Sequence, residues 1–508
     1  MPVWMPPSNP NAQMTPQQLL PPAATVGSLD LDDIQGDVIV GLQKRSERFV
    51  FFTIADVAGF KRAAKSHLPR RITSASLARE REVILRDRKL SRAGESAVRE
   101  PAPLPDFVGL NVAFTHFGIS KLVPGATFEH PAFTSFAKSP GQIAATCGDA
   151  ADPMGQPAWD AGFLAAAPAI DGAFVIAAGT RAECDGELAQ LLALFGPSIS
   201  EAWPSGAAGD VRPRAAAGHE HFGWKDGISQ PAVEGLAAPF PGQPTVPASA
   251  LLLGADPSLP PPFPWMTNGS FMVLRKLAQS VEAFEAFVAT AAHQLGMDPA
   301  LLGARMVGRW KSGAPLALAP LQDDPVLGAR AELNNDFDFA GDDGQRRCPF
   351  GAHIRKVNPR ADLGAAAVRP HLMMRAGIPY GPEFSVAPGE ERGLLFVSYQ
   401  ASIANQFEFV QQSWANNPGF VFGRSRPPSP GPLSSAPVPP GNTPVTVGVD
   451  PLIGQLPGAP RFMDEPMSNY PTGSQRSDLR LDAPLVIARA GIYLFVPSLS
   501  ALEGTFSD

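Results

Sequence analysis

Cysteine is scarce in this chain of 508 residues: Cys147, Cys184 and Cys348 are all it has. None stands in a CxxC pair and the count is odd, so neither a disulfide framework nor a zinc site is indicated. Tyrosine is scarcer than its relatives, with four against 31 phenylalanines. The N-terminal stretch MPVWMPPSNPNAQMTPQQ has no basic region followed by an apolar run and no twin arginine. No secretory peptide is read there, and a cytoplasmic protein is expected. The most apolar stretch, residues 163–179, is interrupted by Pro168 and Asp171. It is shorter than the roughly 20 apolar residues of a membrane span, so no membrane partner is expected. A net charge of −7 and a pI near 5.7 argue against binding nucleic acid. GxSxG, a Walker loop, HExxH and a GxGxxG following a strand are all absent, which removes support for hydrolase, nucleotide-triphosphatase, zinc-protease and Rossmann readings.

What is present is ordinary globular composition, 44% hydrophobic and 18% charged, with many prolines and glycines. The length allows two or three domains or one duplicated unit. Residues 1–28 read as a loose arm rich in Pro, Gln and Ala. Residues 29–237 form a first unit, 238–265 a Pro-rich linker, and 266–508 a second unit with a Pro/Gly/Ser insertion at 427–457. In the first unit, 38–42 (VIVGL), 49–54 (FVFFTI), 110–116 and 173–178 read as strands, and 56–67, 74–90 and 181–195 as helices. The pattern restarts with a strand at 269–274, a helix at 280–295, a strand at 393–399 and a helix at 403–414. Strands at 485–487 and 491–496 follow. The fold class read from this pattern is α+β, a duplicated arrangement of antiparallel sheets with flanking helices and a cofactor pocket beside them, and part of it follows the ferredoxin-like order.

The stretch QRRCPFGAHIRKVNPR, residues 345–360, sets His353 among small and apolar residues, with Arg355, Lys356 and Arg360 after it. A neutral imidazole is a good iron ligand, and guanidinium groups suit carboxylates by charge and shape. A loop histidine beside a solvated basic run would look the same. A second stretch, HFGWKDGISQP at 221–231, holds Asp226 between Gly223 and Gly227. A third is MMRAGIPYG at 373–381.

Together, in this order, these three segments resemble the dye-decolorizing peroxidase family of haem enzymes. The likeness extends to LDDIQGDVIVGL, NVAFTHFGISKL, DPMGQPAWDAGF and GIYLFVPS, and so covers nearly the whole chain after about residue 28. Gly377 stands where bacterial members often carry Asn, so the chain is closer to the fungal-type, long-chain sequences. The resemblance implies duplicated ferredoxin-like halves with the haem pocket in the C-terminal half, haem b as cofactor, and His353 as proximal iron ligand. It implies Asp226 as distal acid–base group and Arg375 as the distal arginine. Leu394 and Phe396 would shape the distal pocket. Gly227, Ile228 and Ser229 would touch the ring through their backbones, and Arg355 and Arg360 would hold propionates, with Arg355 preferred.

Glu408 is a candidate for the carboxylate behind His353, a surface glutamate on a helix being the other reading. Tyr380 is a candidate for a surface residue that carries a radical to bulky substrates, with Trp414 and Trp265 as weaker alternatives and a core aromatic as the other reading of each. The implied activity is reduction of hydrogen peroxide through a ferryl species with a porphyrin radical, coupled to one-electron oxidation of dyes, phenols and other aromatic reductants. The alternative is a haem-binding protein for storage, transfer or iron release, which would need neither Asp226 nor Arg375. Oligomeric state is not read from the sequence.

Overall fold

The computed structural model describes residues 29–92, 107–128, 133–204, 206–421, 425–426, 443–444, 447–456, 461–464 and 478–508. The N-terminal arm at 1–28 and most of the insertion at 427–457 lie outside the described residues. In the N-terminal half, β1 (Ser46–Ile54) leads to α1 (Val57–His67) and α2 (Ala75–Arg92). Next come β2 (Gly109–Phe114), β3 (Gly172–Ala178), α3 (Arg181–Phe195), β4 (Ile199–Glu201) and β5 (Ala208–Asp210).

The C-terminal half repeats the plan with β6 (Ser270–Gln279), α4 (Val281–Leu295) and a short α5 (His353–Val357). Strands β7 (Met374–Arg375), β8 (Ile378–Tyr380), β9 (Gly393–Gln400) and β10 (Val486–Val496) complete it. Between β9 and β10 the expected helix is present but widened into π turns, Ala404–Glu408 and Val410–Ala415. A bulge between Ala488 and Ala490 turns the two short strands read at the C-terminus into one long β10.

The strands form one antiparallel sheet in the order β8-β9-β6-β10-β2-β3-β1-β4, with β5 paired to β1 and β7 to β9. Each half alone has the ferredoxin-like order, and the halves join where Phe495 of β10 meets Phe114 of β2. A Cβ on Gly209 of β5 would stand 2.5 Å from Ile378 of β8, so the sheet curls until its ends nearly meet. Every residue of β2 and β3 is buried, as their unbroken apolar runs require. Phe52, Phe60, Phe114 and Phe506 pack ring to ring against that face at centroid distances of 5.0–6.2 Å. Each ring buried in this way is worth roughly 1.5–3 kcal/mol.

Residues 38–42, expected as a strand, instead continue a helical turn at Gly36–Ile39. A Cβ on Gly36 would stand 2.9 Å from that of Ala78, and the Asp37 N–H donates to Asn111 Oδ1 at 2.8 Å. A short apolar run cannot distinguish a buried turn from a buried strand. The 238–265 segment packs into the core through Val246, Leu251 and Leu252. Among the described residues no helix is long and apolar enough to cross a membrane.

Candidate active site

His353 opens α5, and its ring has one partner of consequence: Nδ1 donates to Asp450 Oδ2 at 2.7 Å. Asp450 is fully buried, and its Oδ1 accepts from the N–H groups of Leu452 and Ile453 at 2.9 and 3.0 Å. Burial alone would lower the His353 pKa, but the Asp450 carboxylate outweighs it and the pKa rises. Burial would raise Asp450, yet His353 and the two N–H donors hold it below the usual carboxylate value. The hydrogen bond leaves Nε2 as the nitrogen that can donate a lone pair, the arrangement that orients a metal-binding imidazole and makes it more basic.

Asp226 sits in a loop bent by Gly223 and Gly227, whose φ values are +97° and +73°. Its N–H donates to Gly218 O at 2.9 Å, and its Oδ1 accepts from Gly227 N–H at 2.7 Å. Glu220 closes the same loop by accepting from the N–H groups of Phe222 and Trp224. Arg375 lies on β7 opposite Ser398 of β9. The Gln230 side chain brackets its backbone, accepting from Arg375 N–H at 3.1 Å and donating to Arg375 O at 2.6 Å. Its Nη2 donates to Ser229 O at 2.8 Å. Burial lowers the Arg375 pKa, and the Asp226 carboxylate partly restores it.

Asp226, Arg375 and His353 all line one cavity of about 300 Å³ and a second of about 170 Å³ that shares much of its wall. Leu394 and Phe396, two apart on β9, project toward one side of the sheet and line the larger cavity. Gly227 and Ser229 line both, and Ile228 lines the smaller.

One end of the site is strongly cationic. Buried Arg309 donates to Gly313 O, Asn334 O, Ser229 Oγ and Asn335 Oδ1. Burial, then Arg360 and Arg375, push its pKa down to about 9. Arg360 is pushed down to about 10 by burial, against a weaker pull from Asp338, and its backbone is held at φ +47°. Among the described residues neither guanidinium has a carboxylate at ion-pair distance. An anionic group bound between them would relieve that repulsion. With the apolar wall and the imidazole, the donor set fits a haem and its two propionates.

Three expectations require correction. Arg355 is not a propionate ligand: its Nε and Nη2 donate to Asp362 at 2.7 and 2.8 Å, and its Nη1 donates to Cys348 O at 2.5 Å and to Asp342 at 3.2 Å. Two residues after His353 on a helix, it points away from the cavity and is fully buried between the rings of Phe339 and Phe350. Glu408 does not back His353. Its carboxylate accepts from Ser135 Oγ at 2.6 Å and Lys138 Nζ at 2.7 Å, and Asp450 holds the place assigned to it. Tyr380 is not a surface residue. It is 7% exposed, its OH donates to Glu391 Oε1 at 3.0 Å, and Lys276 lies 5.1 Å from its ring centroid.

Sequence reading missed Asp450, Arg309 and Gln230. Asp450 lies within the 427–457 stretch, which shows no helical or strand period. Arg309 is an isolated arginine just beyond a helix that ends at Val307.

Known proteins resemble the chain along most of its length. Residues 33–213 match the family model described as the DyP dimeric alpha+beta barrel domain, and residues 261–419 match the Dyp-type peroxidase C-terminal model. The chain is 39% identical to a dye-decolorizing peroxidase of Exidia glandulosa, covering 94% of this chain and 87% of that one. It is 38% identical to one of Auricularia auricula-judae, covering 96% and 89%. A solved dye-decolorizing peroxidase in complex with 2,6-dimethoxyphenol superposes with a TM-score of 0.77 at 36% identity, covering 94% of this chain and all of that one. With this fold, a buried imidazole–carboxylate pair and an aspartate and arginine on the same cavity, the chain belongs to the dye-decolorizing peroxidase family and is a haem peroxidase of fungal type.

Proposed function

We propose that the cavity takes haem b, that the peroxide reduced there is hydrogen peroxide, and that phenols, dyes and related aromatics are the reductants. A bound haem supplies the iron at which peroxide is reduced and the oxidising equivalents passed on to the reductant. His353 Nε2 is the protein's iron ligand, and Asp450 keeps that imidazole in one tautomer and one orientation. Arg309 and Arg360 hold the propionates. Asp226 takes a proton from one peroxide oxygen and returns it to the other, so that water leaves. The Arg375 guanidinium offsets the negative charge that develops on the departing oxygen in a water-poor site. Tyr380 relays an electron from beneath the surface. Its O–H is already aimed at a carboxylate that can accept the proton as the ring is oxidised.

The observation carrying this reading is that Asp226, Arg375 and His353 line one cavity although they lie far apart in the chain. A haem carrier has no use for the first two. The test is a visible spectrum of the purified protein before and after one equivalent of peroxide, with a pyridine haemochrome to identify the haem. Reaction within the mixing time is expected, and it should be lost in Asp226→Asn. A variant reacting at the parent rate would end the acid–base assignment.

A further inference from the structure

We propose that Lys44 and Glu47, in the N-terminal half, are positioning residues for Arg375: the Lys44 ammonium holds the carbonyl of Ala376 and so sets where the neighbouring guanidinium stands. The inference rests on the role given to Arg375 above.

Lys44 Nζ donates to three acceptors: Glu47 Oε1 at 2.8 Å, Glu47 Oε2 at 2.7 Å and Ala376 O at 2.7 Å. An ammonium has three protons, so none is left over. The Glu47 side chain is fully buried and that of Lys44 is 14% exposed. Ala376 and Gly377 both line the larger cavity, so the peptide that Lys44 grips forms part of its wall.

The rest of this short segment is held on other sides. Gln230 brackets Arg375, and the Ala376 N–H donates to Val397 O at 3.0 Å. Gly377 follows directly and imposes little conformational restraint of its own, so the Ala376–Gly377 peptide depends on its hydrogen bonds for its orientation. A second tie reinforces the first. Tyr399, opposite Met374 across β9 and β7, donates its O–H to Asp37 Oδ2 at 2.5 Å. The N-terminal half thus holds the segment of Arg375 directly through Lys44 and the strand paired with it through Asp37.

Stability alone is a weak reason for this pair. Burial pushes Glu47 up to about 7, with Lys44 pulling it back and Asp37 adding to the rise. A buried ion pair typically gains little over apolar residues of the same size. What apolar residues could not supply here is a donor to Ala376 O.

Fluoride binding to the resting holoenzyme, followed by visible absorption, reads the Arg375 side of the site without turnover. Lys44→Met is expected to weaken fluoride by about tenfold, the scale of one lost hydrogen bond to a charged group. Because Lys44→Met strands a buried carboxylate and can fail to fold, the Lys44→Met/Glu47→Leu double variant carries the decision. It should regain most of the melting temperature lost in Lys44→Met while fluoride stays weak. If both recover in the double variant, or if fluoride binds every variant as tightly as the parent, the pair is only a structural tie and the proposal is overturned. Arg375→Leu is the control. Unchanged fluoride affinity there would overturn the Arg375 role and this proposal together.

Discussion

Two aspartates serve the same cavity and are built differently. Asp450 is fully buried, and its two oxygens together take one imidazole and two backbone N–H groups. Asp226 lies on a loop in the cavity wall, spends Oδ1 on the N–H of the next residue, and leaves Oδ2 without a partner among the described residues. A carboxylate whose lone pairs are occupied is a fixed acceptor that orients something else. One with a spare oxygen can take up a proton and release it. The same side chain acquires two jobs from the number and rigidity of its neighbours.

The contrast is most strongly tested at Asp226. Asp226→Asn should keep the haem spectrum while the second-order rate with peroxide falls by roughly 10²–10⁴, read by stopped-flow absorbance. Next in size is a site with no catalytic part. Arg355→Ala should cost about 3–5 kcal/mol of stability in a denaturant titration, since it strands Asp362 and Asp342 in the interior. Any folded holoprotein it yields should react with peroxide as the parent does. A selective loss of haem would restore Arg355 to the site.

Asp450→Asn should weaken haem retention about 10- to 100-fold, measured by transfer to an acceptor apoprotein, while the peroxide rate falls less than in Asp226→Asn. If the two substitutions traded phenotypes, the division of labour drawn here would be wrong. The smallest effect is expected from Tyr380→Phe, a loss of a few-fold to tenfold in kcat for bulky dyes with small phenols unaffected. Equal losses on both substrate sizes would remove Tyr380 from the electron route.

The site was legible where chemistry is written in short contiguous segments. His353, Asp226 and Arg375 each sit in a run that by itself admits a bland reading; the order and company of the three runs carry the family resemblance, and the structure brings all three to one cavity. Errors arose where a residue's partner had to be guessed across space. Arg355 lies two positions from His353, near enough in sequence to look like part of the site, yet a helix turns it to the opposite side. Glu408 is acidic and follows β9, yet it turns to Ser135 and Lys138. The carboxylate that meets His353 comes instead from a stretch with no period to read.

The α+β class and the repeat of strand and helix in two halves are legible along the chain, because side-chain periodicity is a property of neighbours in sequence, and the imidazole, aspartate and arginine are singled out by three segments that together resemble one family. It takes the folded chain to show that the two halves share one sheet through Phe114 and Phe495, that Asp450 backs His353, that Arg309 joins Arg360 at the cationic end, and that Lys44 reaches across to Ala376. The physical reason is range. A hydrogen bond or a desolvated charge depends on atoms within a few ångströms, and in the last three cases those atoms lie between 51 and 332 positions away along the chain.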